Sequence, residues 1–282
     1  MSSASTPKRT TLFLGATGGV GFAALRRSLA ANHTCIALCR TPSKLASAFS
    51  SSSCSESTLP ANLHLVEGNA HDADILTRCL RFTPPSDHHD TSSSLLPGAA
   101  AANAHTHAVD TVIFSIGALP TLTGMSDPHV CEKGMTALLA AIRRVQVQEE
   151  EDNKIRLVAV SSTGISAHVR DVPLLFLPLY KVLLRTPHRD KMAMERLVMG
   201  SGGGGGVDGG VEWTIVRGSL YTSGPATEGL VREGMEDPVS GAVEGGTPIG
   251  YTISREDVGK WVFENVVEGG KRWVGKAAVI TY

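Results

Sequence analysis

A glycine-spaced turn wedged between an apolar strand and a helix constrains this chain more than any other feature of it. Residues 10–15 (TTLFLG) form a short apolar run, the turn follows at once, and VGFAALRRSLA then repeats apolar residues at helical spacing. Within the turn Gly15, Gly18 and Gly21 stand three apart, with Thr17, Gly19 and Val20 between them. Glycines in this context let the chain reverse sharply and let backbone N–H groups approach a phosphate. They also let the helix pack closely on the strand, while the helix N-terminus adds positive potential. Gly15, Thr17, Gly18, Gly19, Val20 and Gly21 are therefore expected to cradle the pyrophosphate of a dinucleotide.

The rest of the chain repeats the strand-then-helix rhythm. Apolar, β-branched runs at 10–15, 34–39, 62–66, 109–115, 155–161 and 211–216 have no polar face, as suits strands covered on both sides. Helical patterns at 18–31, 71–80, 128–148 and 188–199 supply the crossovers that parallel strands need. The expectation is α/β: a doubly wound, parallel-sheet Rossmann fold. Beyond 217 a Gly- and Pro-rich stretch leads to a helix near 255–267 and a last strand near 272–281, read as a small C-terminal substrate lobe.

Length favours one domain over 10–282 behind a flexible tail at 1–9, because 282 residues lie near the upper limit of one hydrophobic core. Four stretches interrupt the pattern: the serine-rich 46–60, then 83–107, 148–154 and the glycine run 200–210. Their composition buries too little apolar surface to offset ordering, so they are expected to be mobile insertions. A formal charge of -1 gives no basic excess for nucleic acid. The opening MSSASTPKRT lacks the apolar core of a secretory signal, and no apolar run reaches the roughly 18–20 residues of a membrane helix. Cys35, Cys39, Cys54, Cys79 and Cys131 are odd in number and scattered, so they are read as reduced. The expected location is cytoplasmic. His88, His89, His105 and His107 have metal-like spacing but fall in an interrupting stretch, so no metal is expected.

Dinucleotide folds read the ribose 2′ substituent at the end of the second strand, where NAD binders usually carry Asp or Glu. Here TCIALC runs into Arg40, Thr41, Ser43 and Lys44, cationic and hydroxyl donors suited to a 2′-phosphate. NADP(H) is the expected cofactor, with Arg40 as a surface-turn residue the competing reading. Ser115 and Gly117 end the fourth strand and Ser161, Ser162 and Thr163 the fifth, on the nicotinamide side of the crevice; ordinary capping of the strand ends is the alternative.

Together these residues resemble the atypical short-chain dehydrogenases of the NmrA-like and biliverdin/flavin-reductase-like kind. GATG begins at Gly15, and Arg40-Thr41-Pro42 is similar to the family's R-x-P turn. Gly68-Asn69 stands for its G-D, with Asn69 in place of the usual acid, and Ser161-Ser162-Thr163-Gly164 resembles its fifth-strand end. Asp190, Lys191 and Glu195 match D-K-x-x-x-E, and Trp213–Arg217 matches W-T-I-x-R, with Gly218 replacing the proline. The resemblance implies an NADP(H)-dependent oxidoreductase in which Asn69 and Arg217 contribute to the cofactor site and Lys191 faces the cofactor.

Ordinary short-chain dehydrogenases use Tyr-x-x-x-Lys, but four residues before Lys191 stands Pro187, and no tyrosine here has a lysine four later. Lys191 is the first candidate for acid–base work, its alternative being a solvated partner of Glu195. Tyr221, just beyond the sixth strand, is the second candidate, its alternative a packing tyrosine. Segment 172–184 (VPLLFLPLYKVLL) reads as a loop and short helix lining an apolar pocket, a subunit contact, or core. Two functions remain open: reduction of a hydrophobic or aromatic small molecule, or a non-catalytic, NADP-sensing regulator that reports to a protein partner. An oligomer is compatible with either.

Overall fold

The computed structural model describes residues 8–50, 59–82, 109–117, 127–149, 154–182, 184–202, 210–227, 229 and 231–282. The strands of the expected rhythm are β1 (Thr10–Leu14), β2 (Thr34–Cys39), β3 (Leu63–Glu67), β4 (Thr111–Phe114), β5 (Arg156–Ser162) and β6 (Glu212–Gly218). They pair in the order β3-β2-β1-β4-β5-β6, all parallel, so neighbours β1 and β4 come from opposite halves of the sheet. That reversal of strand order opens a crevice beyond their carboxyl ends.

Period-2 alternation explains why these strands carry no polar face. Leu12, Leu14, Ile36, Leu38, Val112, Phe114, Leu157 and Ile215 point into one core. Phe13, Cys35, Ala37, Ile113, Val158, Val160 and Val216 point into the other. Onto the first core pack α3 (Ala73–Leu80), α4 (Val130–Glu149) and α6 (Arg185–Ser201); onto the second, α1 (Gly19–Ala30) and α7 (Arg255–Val262). The sheet is doubly wound, as expected.

Three expectations are corrected. The serine-rich stretch begins later than 46, because α2 runs from Pro42 to Ser50 with Leu45 buried beneath it. Its nine residues make about two and a half amphipathic turns, and Pro42 sits at its start, where a missing N–H costs nothing. Residues 51–58 lie outside the described set, as do 83–108, 150–153 and 203–209. Second, α6 starts at Arg185 rather than 188, with Pro187 tolerated in its first turn. Third, the segment after 217 is less a lobe than an extension of the sheet. There β11 (Lys276–Thr281) pairs parallel with β6, and β8 (Arg232–Glu236) runs antiparallel beside it, followed by β9 (Val243–Glu244). A separate ribbon pairs β7 (Leu220–Thr222) with β10 (Thr252–Ser254).

Cys35, Cys39, Cys79 and Cys131 are free and buried, with burial holding the thiols of Cys35 and Cys79 up near about 12; Cys54 lies outside the described residues. Among the described residues no helix is long and apolar enough to cross a membrane, and no His/Cys/Asp/Glu cluster could hold a metal. The four loop histidines are outside that set.

Helices α1 and α7 are held together by a backbone approach and by charge. Glu256 takes Arg26 at 2.8 Å and Arg27 at 3.0 Å, and Gly259 lies so near α1 that a Cβ there would sit 2.4 Å from Ala23 Cβ and 2.8 Å from Val20 O. Gly259→Ala is therefore expected to destabilise the fold by about 1–3 kcal/mol through overpacking, despite the better helix propensity of alanine. Urea unfolding followed by tryptophan fluorescence measures this; an unchanged midpoint would refute the close approach.

Candidate cofactor and active site

The glycine turn closes on the end of β4. Gly15 has φ +95°, and a Cβ on it would lie 2.8 Å from the backbone of Ser115; one on Gly21 would lie 2.4 Å from Ser115 Oγ. Both positions must be glycine because two backbones occupy the space. Gly18 is different: it is exposed, its Cβ would meet nothing nearer than Gly15 O at 4.0 Å, and it sits at the N-cap of α1 with no side chain capping the helix. Among the described residues no side chain at the N-cap accepts from the N–H groups of the first turn. Three other helix starts are filled: Asp72 caps α3, Ser254 caps α7, and Asp190 reaches from α6 to accept Cys131 N and Glu132 N of α4, both at 2.9 Å; α6 itself, like α1, starts without a side-chain cap, at Leu184.

Of the turn residues, Thr17, Gly18 and Gly19 are exposed, whereas Val20 is buried and packs on the core beneath α1. Over Gly19 lies a residue the sequence reading missed, Arg255. A Cβ on Gly19 would fall 2.0 Å from Arg255 Cδ, so the arginine stem takes the volume glycine leaves. Its guanidinium lies 5.9 Å from the Tyr221 ring centroid and donates to Ser223 Oγ at 3.3 Å. Ribbon pairing of β7 with β10 carries it there, a long-range contact that no local pattern encodes.

At the end of β2, Arg40 and Lys44 are exposed, with no carboxylate following the strand. Glu67, opposite Cys39 at the end of β3, is the nearest acid by register. Asn69 is exposed too, and its side chain accepts His71 N at 3.1 Å in a local turn.

On the nicotinamide side, Lys191 is not the solvated partner of Glu195. Its Nζ donates to Ile116 O at 2.9 Å and Val160 O at 2.6 Å, joining the ends of β4 and β5, and a Cβ on the exposed Gly117 would come within 4.0 Å of it. Two of the three ammonium donors are placed, and the third points to neither carbonyl. Ser115 Oγ donates back to Leu14 O at 3.0 Å, the capping alternative. Ser161 Oγ is buried with no partner among the described residues, and Ser162 is half-buried beside it.

Two site expectations are redirected by packing. Arg217 is 2% exposed, and its three guanidinium nitrogens are committed: Nε and Nη2 to Glu195 at 3.1 and 2.7 Å, Nη1 to Glu236 at 2.8 Å. Burial opposes its charge, but the two carboxylates outweigh it and raise the pKa. A donor set filled this way is a structural knot tying α6, β6 and β8, not a cofactor contact. Removing one member would strand a buried charge at a cost of about 3–5 kcal/mol. Tyr221 is likewise held: its hydroxyl donates to Ser161 O at 2.6 Å and accepts Gly218 N at 3.2 Å, and burial raises its pKa. Backbone occupies both its roles, so it positions the β5 and β6 ends rather than delivering a proton.

Below the β5 end is a second group that the sequence reading missed. Tyr180 is buried, its hydroxyl 3.3 Å from Thr163 Oγ1, and its ring stands edge-on to His188 at 5.2 Å. Asp171 accepts Gly164 N at 2.8 Å through Oδ1, while Asp171 Oδ2 and His188 Nε2 have no partner among the described residues. Segment 172–184 is a 3₁₀ turn (Leu174–Phe176) followed by α5 (Leu177–Val182), as expected of a loop and short helix. Leu174, Leu175 and Val182 are more than half exposed, and Phe176 packs edge-on against exposed Tyr251 at 4.9 Å.

The family model described as NAD(P)H-binding matches residues 96–268, a span that starts beyond the glycine turn and includes β4 to α7. The chain is 36% identical to "Reductase pytE" of Aspergillus terreus, over 99% of this chain and all of that protein. It is 33% identical to "Oxidase pynE" of Aspergillus niger, over 97% of this chain and 99% of that one. Among solved structures, a wide-type short-chain dehydrogenase/reductase from Veillonella parvula in complex with NADP superposes with TM-score 0.59. It is 13% identical, with 98% and 95% of the two chains covered, a likeness of fold.

Asp171 and His188 have pH signatures of opposing sign. Burial lowers His188 from 6.5 to about 4, so its stabilising contribution, present above 6.5, is lost as pH falls towards 4. Burial raises Asp171 from 3.8 to about 6, against the Gly164 hydrogen bond, so its contribution, present below 3.8, is lost as pH rises through 6. Between these limits the two slopes oppose. Asp171→Asn, which keeps the acceptor, should therefore lose stability more steeply than wild type when pH is lowered from about 7 to about 4.5. Urea midpoints across that range test this, and parallel curves for the two proteins would reject it.

Proposed function

Since the chain belongs to the NAD(P)H-binding family, we propose that it is an NADP(H)-dependent oxidoreductase of the atypical short-chain dehydrogenase type, acting on a hydrophobic or aromatic small molecule. The observation that carries this reading is the uncapped N-terminus of α1 behind the open Gly18, with Arg40 and Lys44 beyond β2 and no acid following that strand. First-turn N–H groups suit a pyrophosphate, and a guanidinium fork suits a 2′-phosphate better than a ribose hydroxyl does. Arg255 is added to the set as the cation above the turn.

A bound nicotinamide supplies the hydride, and this chain's residues orient the two reactants and exclude water. Gly15 and Gly21 fix the depth at which a dinucleotide lies against β4. Lys191 holds the β4 and β5 ends together and keeps one ammonium donor for a ribose hydroxyl or a substrate oxygen. With Tyr221 committed to backbone and Pro187 in place of a tyrosine, the proton for a reduced product comes from Lys191 or solvent. The exposed Leu174, Leu175 and Tyr251, with half-buried Phe176 packed on Tyr251, form an apolar wall suited to an aromatic substrate. Relatives named a reductase and an oxidase support redox chemistry of this kind, and four buried reduced thiols fit a cytoplasmic setting.

A second reading, an NADP-sensing regulator of the NmrA type, is favoured by one observation: Lys191 and Tyr221 both donate to backbone carbonyls. Nicotinamide absorbance of NADPH, followed with a panel of quinones, flavins and aromatic carbonyls beside titrations of NADP+ and NAD+, separates the two. Turnover is expected, with Arg40→Ala weakening NADP+ by about tenfold or more while leaving NAD+ within about twofold, as loss of a charge-assisted phosphate contact implies. Equal losses would reject the 2′-phosphate assignment. Tight binding without turnover across the panel would establish the regulator.

A further inference from the structure

The starts of the parallel strands, at the pole opposite the glycine turn, gather charge that the redox reading does not use. Arg9 precedes β1, Thr111 opens β4, and Lys154 and Arg156 stand at the start of β5; with Asp110, Glu212 and Lys271 they line a cavity of about 260 Å³. Strand order makes this assembly, since β1, β4, β5, β6 and β11 are consecutive neighbours. Four cations therefore face two carboxylates.

Both carboxylates are already engaged. Glu212 takes Lys271 at 2.7 Å and lies 4.0 Å from Arg156, and Asp110 accepts Thr10 N at 2.7 Å. Arg156, 8% exposed, donates to Val266 O and Gly269 O, and its pKa is lowered by burial and then by the charge of Arg9. Among the described residues neither Arg9 nor Lys154 has a carboxylate within 4.0 Å. Two polar atoms of the lining are buried without partners among the described residues, Arg9 Nε and the hydroxyl of Thr111, a residue that is 0% exposed. Buried donors of this kind are normally satisfied, and facing guanidinium groups repel unless an anion lies between them.

We propose that this cavity binds a tetrahedral oxyanion of the phosphate class, with Arg9, Lys154 and the Thr111 hydroxyl as its donors and Arg156 as the buried charge behind them. Donors approaching from three strands match an ion with acceptors on every side, whereas a carboxylate presents two in one plane. The volume leaves room for the organic part of a small phosphomonoester. A dinucleotide in the crevice lies beyond the opposite ends of the same strands, so its own phosphates belong to a different site.

Thermal unfolding of the full chain, saturated with NADP+ so that the crevice is filled, tests the site with inorganic phosphate, glycerol 3-phosphate and sodium chloride at matched ionic strength. Phosphate is expected to raise Tm by a few degrees over chloride, by the linkage of binding to folding. Arg9→Gln combined with Lys154→Gln removes side chains that have no carboxylate partner among the described residues, so the variant should fold and lose that rise. A larger effect of the ester than of phosphate identifies a phosphorylated metabolite as the ligand, and a smaller one free phosphate. Isothermal titration of phosphate into the same proteins gives a second readout. Equal melting in phosphate and chloride, or a full phosphate effect in the double variant, overturns the site. Either result leaves the redox reading untouched, because the crevice is occupied throughout.

Discussion

The cofactor end of this protein depends on two backbones meeting where no side chain fits. Gly15, at φ +95°, and Gly21 lie against Ser115 at the end of β4, so the turn after β1 sits down in the gap that the reversal of strand order creates. With a Cβ at either position the turn would be lifted from the sheet, and α1 would lose its alignment with the crevice. The remaining features of the site follow from that seating. Gly18 stays open, the first turn of α1 remains uncapped, and Arg255 can lie over Gly19.

Buried polar groups fix the frame around this seat. Asp190, Lys191 and Glu195 lie within two turns of α6, yet each serves a different element: the N-terminus of α4, the ends of β4 and β5, and Arg217 of β6. One helix thereby ties down another helix and the ends of three strands, and the low exposure of Asp190, Glu195 and Arg217 means that each charge must be matched for the fold to be stable. The helix that carries catalytic groups in related folds is here first a structural tie. Lys191 is part of that tie, through the carbonyls of Ile116 and Val160.

The two poles of the sheet use charge differently. At the carboxyl ends the structure presents the uncapped first turn of α1 and the exposed cations Arg40 and Lys44. At the amino ends, Arg9, Arg156 and Lys154 are brought together by strand order, with fewer carboxylates than cations to answer them. The first arrangement is encoded in a contiguous motif; the second comes from five separated segments.

Much of this was legible in the chain because it is local. Six strands, the helices between them and the glycine turn follow from side-chain period and from residues adjacent in sequence, and the end of β2 revealed Arg40 and Lys44 in the same way. Only the tertiary structure decided what depends on distant partners. Arg217 and Tyr221 look like site residues because one lies at the end of β6 and the other just beyond it, but packing gives their donors to Glu195, Glu236 and the Ser161 carbonyl. Arg255 reaches Gly19 only because β10 pairs with β7, and the strands after 217 form only because β6 and β11 offer them edges. Pattern reports the face a residue presents; which group meets that face is set by long-range register, and that information is not local to any segment.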